Sequence, residues 1–80
     1  MMNKLQDLMT HEIPVEVIID TGDDDGNYNS LRGIIKNVGR DYIEIGRAPY
    51  QDEKSRYNVD DVRTIIPINR IAEVHFYSKK

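Results

Sequence analysis

From Ile13 onward the apolar residues of this chain recur at every second position, and that period limits the fold more than any other feature of the sequence. Ile13, Val15, Val17 and Ile19 fall on one side of an extended segment whose other side includes Glu16 and Asp20. Successive side chains of a strand point to opposite faces, so this run is a first strand with one buried face. The run TGDDDGNYN follows, with turn-forming glycine and asparagine and three consecutive acids that resist burial, and it reads as a loop. Residues 30 to 38 place Leu31, Gly33 and Ile35 opposite Arg32, Ile34 and Lys36, and residues 41 to 47 place Ile43 and Ile45 opposite Tyr42 and Glu44. Between them Gly39 and Arg40 predict a tight hairpin in which the glycine takes positive φ. Gly33 inside a strand predicts a sharp bend, as in a sheet that curls on itself.

The polar stretch RAPYQDEKSRYNVD, with Pro49, is expected to be a long excursion between strands. VRTII then forms a fourth strand, PINR a single 3₁₀-like turn, and IAEVHFY a fifth strand with Ala72, Val74 and Phe76 inward. Before Ile13 the period is different. Leu5, Leu8 and Met9 share one face at helical spacing, with Asn3 as N-cap and Pro14 as the stop, so the spacing predicts a helix over 3–11. A helix this short is marginal in isolation and must dock its apolar face. The fold class is therefore mostly β: a small, five-stranded, strongly bent antiparallel barrel over 13–77 with a short N-terminal α-helix, all within one domain, 1–80.

Eighty residues support one thin core, and domains of this size commonly add disulfides, a metal or self-association. With no cysteine the first route is closed, so a homo-oligomer is expected. The absence of cysteine, of a leader and of a long apolar run fits a cytoplasmic protein without membrane contact. Residues 1–29 carry one base against seven acids, and residues 30–80 carry ten bases against seven acids. The acidic balance disfavours general attraction to nucleic acid and leaves a local basic patch as the only route to it.

No catalytic or cofactor signature assembles, so the reading is non-enzymatic, without cofactor, metal or evident small-molecule substrate. Asp20, Asp23, Asp24 and Asp25 fail the spacing of a calcium loop, because Thr21 and Arg32 stand where terminal ligands are required. They read as a solvated loop over 20–26. His11 and His75 each lack a spaced partner. Arg32, Lys36, Arg40, Arg47, Lys54, Arg56, Arg63 and Arg70, interleaved with Tyr42, Tyr50 and Tyr57, carry the chemistry that holds phosphate and stacks on bases. Ordinary outward positions balanced by Glu44, Asp52, Glu53, Asp60 and Asp61 are the plainer account of them.

The stretch from Ser30 to Ile45 and the segment PINRIAEVHF resemble the Sm-like (LSm) family in order and spacing. The shared pattern is an N-terminal helix, a bent second strand with a central glycine, a short hairpin, and a final strand pair joined by one 3₁₀ turn. The resemblance implies a five-stranded barrel whose fourth and fifth strands pair with neighbouring subunits in a ring, often with RNA bound at the inner rim. Gly33 matches the bent-strand glycine. Gly39 and Ile43 stand where the family has its hairpin aspartate and base-contacting asparagine, and Ile66, Pro67 and Ile68 replace its Ile-Arg-Gly signature. Arg40, Asp41, Tyr42, Arg56 and Tyr57 are the expected contacts for RNA or a protein partner. Arg63, Ile65, Ile71, Glu73, His75 and Tyr77 are the expected oligomer interface. The expected function is an oligomeric binding or assembly module; the alternative is an SH3-like protein-interaction or regulatory accessory domain that binds no nucleic acid.

Overall fold

The computed structural model describes residues 2–22 and 26–77. Elements run in the order α1 (Met2–Thr10), β1 (Pro14–Asp20), β2 (Tyr28–Val38), β3 (Tyr42–Arg47), α2 (Gln51–Tyr57), β4 (Val62–Pro67), a 3₁₀ turn (Ile68–Arg70) and β5 (Ile71–Phe76). The five strands form one antiparallel sheet in the order β4-β3-β2-β1-β5. The mostly β fold, the five strands, the one-turn connection and the N-terminal helix are thus as the sequence predicts, the strands from alternation and the helix from its own helical spacing.

The bend lies in β2. Its first part, Tyr28–Ile34, pairs with β1, and its last part, Ile34–Val38, pairs with β3, with a register irregularity between Ile35 and Asn37. Gly33 sits where the two halves meet. A Cβ there would lie 2.5 Å from the Gly46 carbonyl oxygen and 2.6 Å from Ile45 Cγ2, so only glycine lets β3 come this close.

The core gathers on the inner face. Val15 and Val17 of β1, Ile35 of β2, Ile43 and Ile45 of β3 and Ile66 of β4 are buried, and Leu5 and Leu8 of α1 cover them. Each such side chain contributes about 1.5–3 kcal/mol relative to exposure. No polar or charged residue is buried among those described.

Several local expectations change. Asn3 lies inside α1 and does not cap it. The helix is stopped before Pro14 acts: the Ile13 and Glu12 amides donate to the Leu8 and Met9 carbonyls at 3.1 Å, with Glu12 left-handed at φ 51°. That is a Schellman closure, and the half-buried Ile13 joins Leu8 in the core, the apolar contact such closures carry. Gly39 does not adopt positive φ. Its missing side chain matters because the Tyr42 ring lies directly over it. The excursion after β3 holds a helix, α2, which no apolar period announces.

Closure into a complete barrel is not achieved. No ladder joins β4 to β5 among the described residues, so the sheet ends in two free edges. Its last strand also departs from strict alternation. A bulge against Ile18 and Ile19 shifts the register at Ala72, so Ala72 is exposed and Ile71 packs inward opposite Ile19. Ile71 therefore leaves the outward row expected of it, and Ala72 leaves the inward one.

Candidate functional site

Two surfaces concentrate features that the core does not need. The first is built by the β2–β3 hairpin, residues 39–41. The Gly39 amide donates to the Tyr42 carbonyl at 2.8 Å, and Asn37 Nδ2 donates to Tyr42 Oη at 3.3 Å, which fixes the ring over the turn. The Ile68 amide donates to the Asp41 carbonyl at 2.9 Å, tying the 3₁₀ turn to the hairpin. Arg40 and Asp41 thereby share a shallow cleft with Pro67, Ile68 and Asn69. The sequence pattern does not point to these last three, because their approach depends on the β3–β4 ladder, which pairs Tyr42 with Pro67 across the intervening α2.

Arg40, Asp41 and Tyr42 lie together at the hairpin, whereas Arg56 and Tyr57 do not join them. The latter pair sits on α2, at the other end of β3, and a six-residue strand spans about 17 Å. Both are exposed there.

A separate cluster holds α2 in place. Arg47, at the end of β3, donates two bonds to Glu53, Nη1 to Oε1 at 2.8 Å and Nη2 to Oε2 at 3.0 Å. Glu53 Oε1 also accepts the Tyr50 amide at 2.8 Å, which satisfies one free donor at the helix start. The Arg47 guanidinium lies 4.1 Å from the Tyr50 ring centroid. These bonds from Arg47, and next the Tyr50 amide, hold the Glu53 carboxyl down at about 2. The Glu53 hydrogen bond raises the Arg47 guanidinium in turn. Asn58 ends the helix at φ 53°, its amide donating to Lys54 at 3.0 Å. This cluster is scaffolding, already internally neutralised.

The basic residues divide the same way. Arg32 meets Glu16 directly across β1 and β2, Lys36 lies 4.0 Å from Glu12, Arg47 is held by Glu53, and Arg63 bridges Glu44 and Asp61. The bonds to Glu44 and then Asp61 raise the Arg63 guanidinium. Arg40, Lys54, Arg56 and Arg70 form no ion pair among the described residues. They are spread over the hairpin, α2 and the 3₁₀ turn, with Arg70 folded over Gly22, so they do not form one basic face.

The second surface is the pair of sheet edges. Arg63 and Ile65 project from the outer face of β4, and Ile65 is 64 % exposed despite its apolar side chain. Glu73 and His75 project from the outer face of β5, joined at 2.8 Å, and Tyr77 follows at 67 % exposure. On the inner side of the β5 edge an apolar groove opens against α1, lined by Leu5, Leu8, Ile71, Val74 and Phe76, with Lys4 at its mouth 4.7 Å from the Phe76 ring.

His11 caps α1 through a 2.9 Å contact between Nδ1 and the Asp7 carbonyl. Among the described residues no three His, Cys, Asp or Glu side chains converge as a metal site, and Asp23, Asp24 and Asp25 of the acidic loop lie outside those residues. No helix among them is long and apolar enough to cross a membrane. No family model, curated protein or solved structure matches this chain.

Proposed function

We propose that this protein is a non-enzymatic, self-associating binding module of Sm-like type, assembled through its sheet edges and meeting its partner at the hairpin cleft. The observation that carries this reading is the strand order, which puts β4 and β5 at opposite ends of one bent sheet and leaves one side of each backbone without a strand neighbour among the described residues. An exposed edge rich in β-branched residues invites another strand, and Ile65 adds apolar surface beside it. The missing cysteine favours a reducing, cytoplasmic setting for the assembly. At the cleft one cation, Arg40, stands next to one carboxylate, Asp41. That balance favours a protein partner over a phosphate backbone, which draws on converging cations.

One observation favours the alternative, a monomeric SH3-like accessory domain: the bulge at Ala72 is a device by which edges are kept from pairing. The mass in solution separates the two. Size-exclusion chromatography with light scattering is expected to give a multiple of the 9.3 kDa chain mass. A single chain mass at all concentrations up to the millimolar range would reject self-association.

A further inference from the structure

The helix α2 is held more firmly than its packing requires. None of its seven residues is buried, so it takes nothing from the core, and a helix this short is marginal unless something fixes it. It is nevertheless secured at both ends, by the two bonds from Arg47 to Glu53 and by the left-handed Asn58 that closes it. What this orients is one exposed face. Tyr50, Lys54 and Tyr57 follow the i, i+4, i+7 spacing of a single helical stripe, which sets the two tyrosines about 10 Å apart along it. Tyr50 is 61 % exposed and Tyr57 63 %, and the Arg47 guanidinium braces the Tyr50 ring at 4.1 Å.

Tyrosines displayed on a rigid element are effective anchors of a protein contact, because they bury a large area and lose little freedom in doing so. Between them Lys54 forms no ion pair among the described residues, whereas the neighbouring Arg47 and Glu53 neutralise each other. The stripe therefore runs aromatic, cation, aromatic, and its complement is a carboxylate flanked by apolar side chains. A nucleic-acid strand fits it less well. Asp52 and Asp60 stand on the same segment without a cation among the described residues, and a phosphate backbone draws on several converging bases. We infer that the Tyr50–Lys54–Tyr57 face of α2 docks an acidic segment of a different protein, with a carboxylate on Lys54 and apolar side chains on the two rings. This contact lies at the opposite end of β3 from the hairpin cleft and does not depend on self-association. Glu53 is a positioning residue for it, since it holds the face in place without touching the partner.

Random linear peptides displayed on phage and selected on the full chain test this. The expected selection is for glutamate or aspartate between apolar residues. An enriched peptide, made synthetically and titrated by fluorescence polarisation, is expected to bind about tenfold or more weakly to Lys54→Glu and to Tyr57→Ala. Both positions are exposed, so the fold is retained. The same peptide with its acid changed to lysine is expected to recover binding to Lys54→Glu, a rescue that an unfolded variant does not give. Glu53→Gln is expected to weaken binding at neutral pH while the preference for an acid persists. Peptides that lose binding only to Arg40→Ala overturn the α2 contact and leave the hairpin reading standing. Binding of single-stranded polyuridine that falls in Lys54→Glu, with no peptide enriched, overturns it in favour of nucleic acid. A smaller oligomer mass in Tyr57→Ala assigns the face to a contact between copies and overturns the separate partner. A library that yields no enriched peptide overturns the inference outright.

Discussion

Glu12 holds a backbone conformation that its side chain does not favour. Closing α1 requires φ of 51° there, and the left-handed region costs an L-residue with a Cβ about 1 kcal/mol that glycine avoids. The contact with Lys36, 4.0 Å and largely exposed, offsets little of this. Glu12→Gly is therefore expected to stabilise the protein by up to about 1 kcal/mol, read as a higher denaturation midpoint at unchanged slope; a lower midpoint would contradict the closure described. Single residues were unevenly legible in the sequence. Gly33 announced a bend because a strand interior has no other use for glycine, whereas Gly39 was legible as important but for another reason, since the Tyr42 ring that lies over it comes from the far side of the turn. Glu12 gave no signal at all, because its conformation is imposed by the docking of Leu8 and Ile13 and not by its own preference.

At the level of elements, α2 depends on a pair of charges more than on burial, for none of its residues is buried. Glu53 ionises at about 2 when folded, below its ordinary 4.5, so its stabilising contribution is complete above about pH 5 and fades as pH falls towards 2. Local opening of α2, followed by hydrogen exchange at the Asn58 amide, is expected to rise across that interval. Glu53→Gln should raise exchange at neutral pH and flatten its dependence on acid; a variant that keeps the native profile would show that the helix is held by something else. The helix was missed in the sequence because apolar periodicity is absent over 51–57. Its start and stop were nevertheless written there, in Glu53 three residues after Tyr50, Lys54 and Arg56 in the last turn, and Asn58 beyond it. In β5 the opposite failure occurs: alternation is present, and one extra residue at Ala72 exchanges the faces of everything before it.

At the level of the molecule, the hydrophobic period specified the strands, and the sheet order follows from antiparallel pairing of consecutive strands β1 to β4 and the return of β5 to β1. The cleft of Arg40, Asp41, Pro67, Ile68 and Asn69 was only half visible, because segments nearly thirty residues apart meet there through the β3–β4 ladder, which pairs Tyr42 with Pro67. Arg56 and Tyr57 were grouped with it by chemistry alone, and the length of β3 keeps them away. If edge pairing completes the thin core, stability depends on protein concentration. The midpoint of thermal unfolding is then expected to rise over a hundredfold range of concentration, and a constant midpoint would mark the open sheet as self-sufficient.

The place of β1 between β2 and β5 also sets a timetable for biosynthesis. Val15 and Val17 emerge from the ribosome early, yet one side of their strand waits for residues 71–76. Until those leave the exit tunnel a nascent chain displays a half-dressed β1, the period in which chaperone engagement matters most.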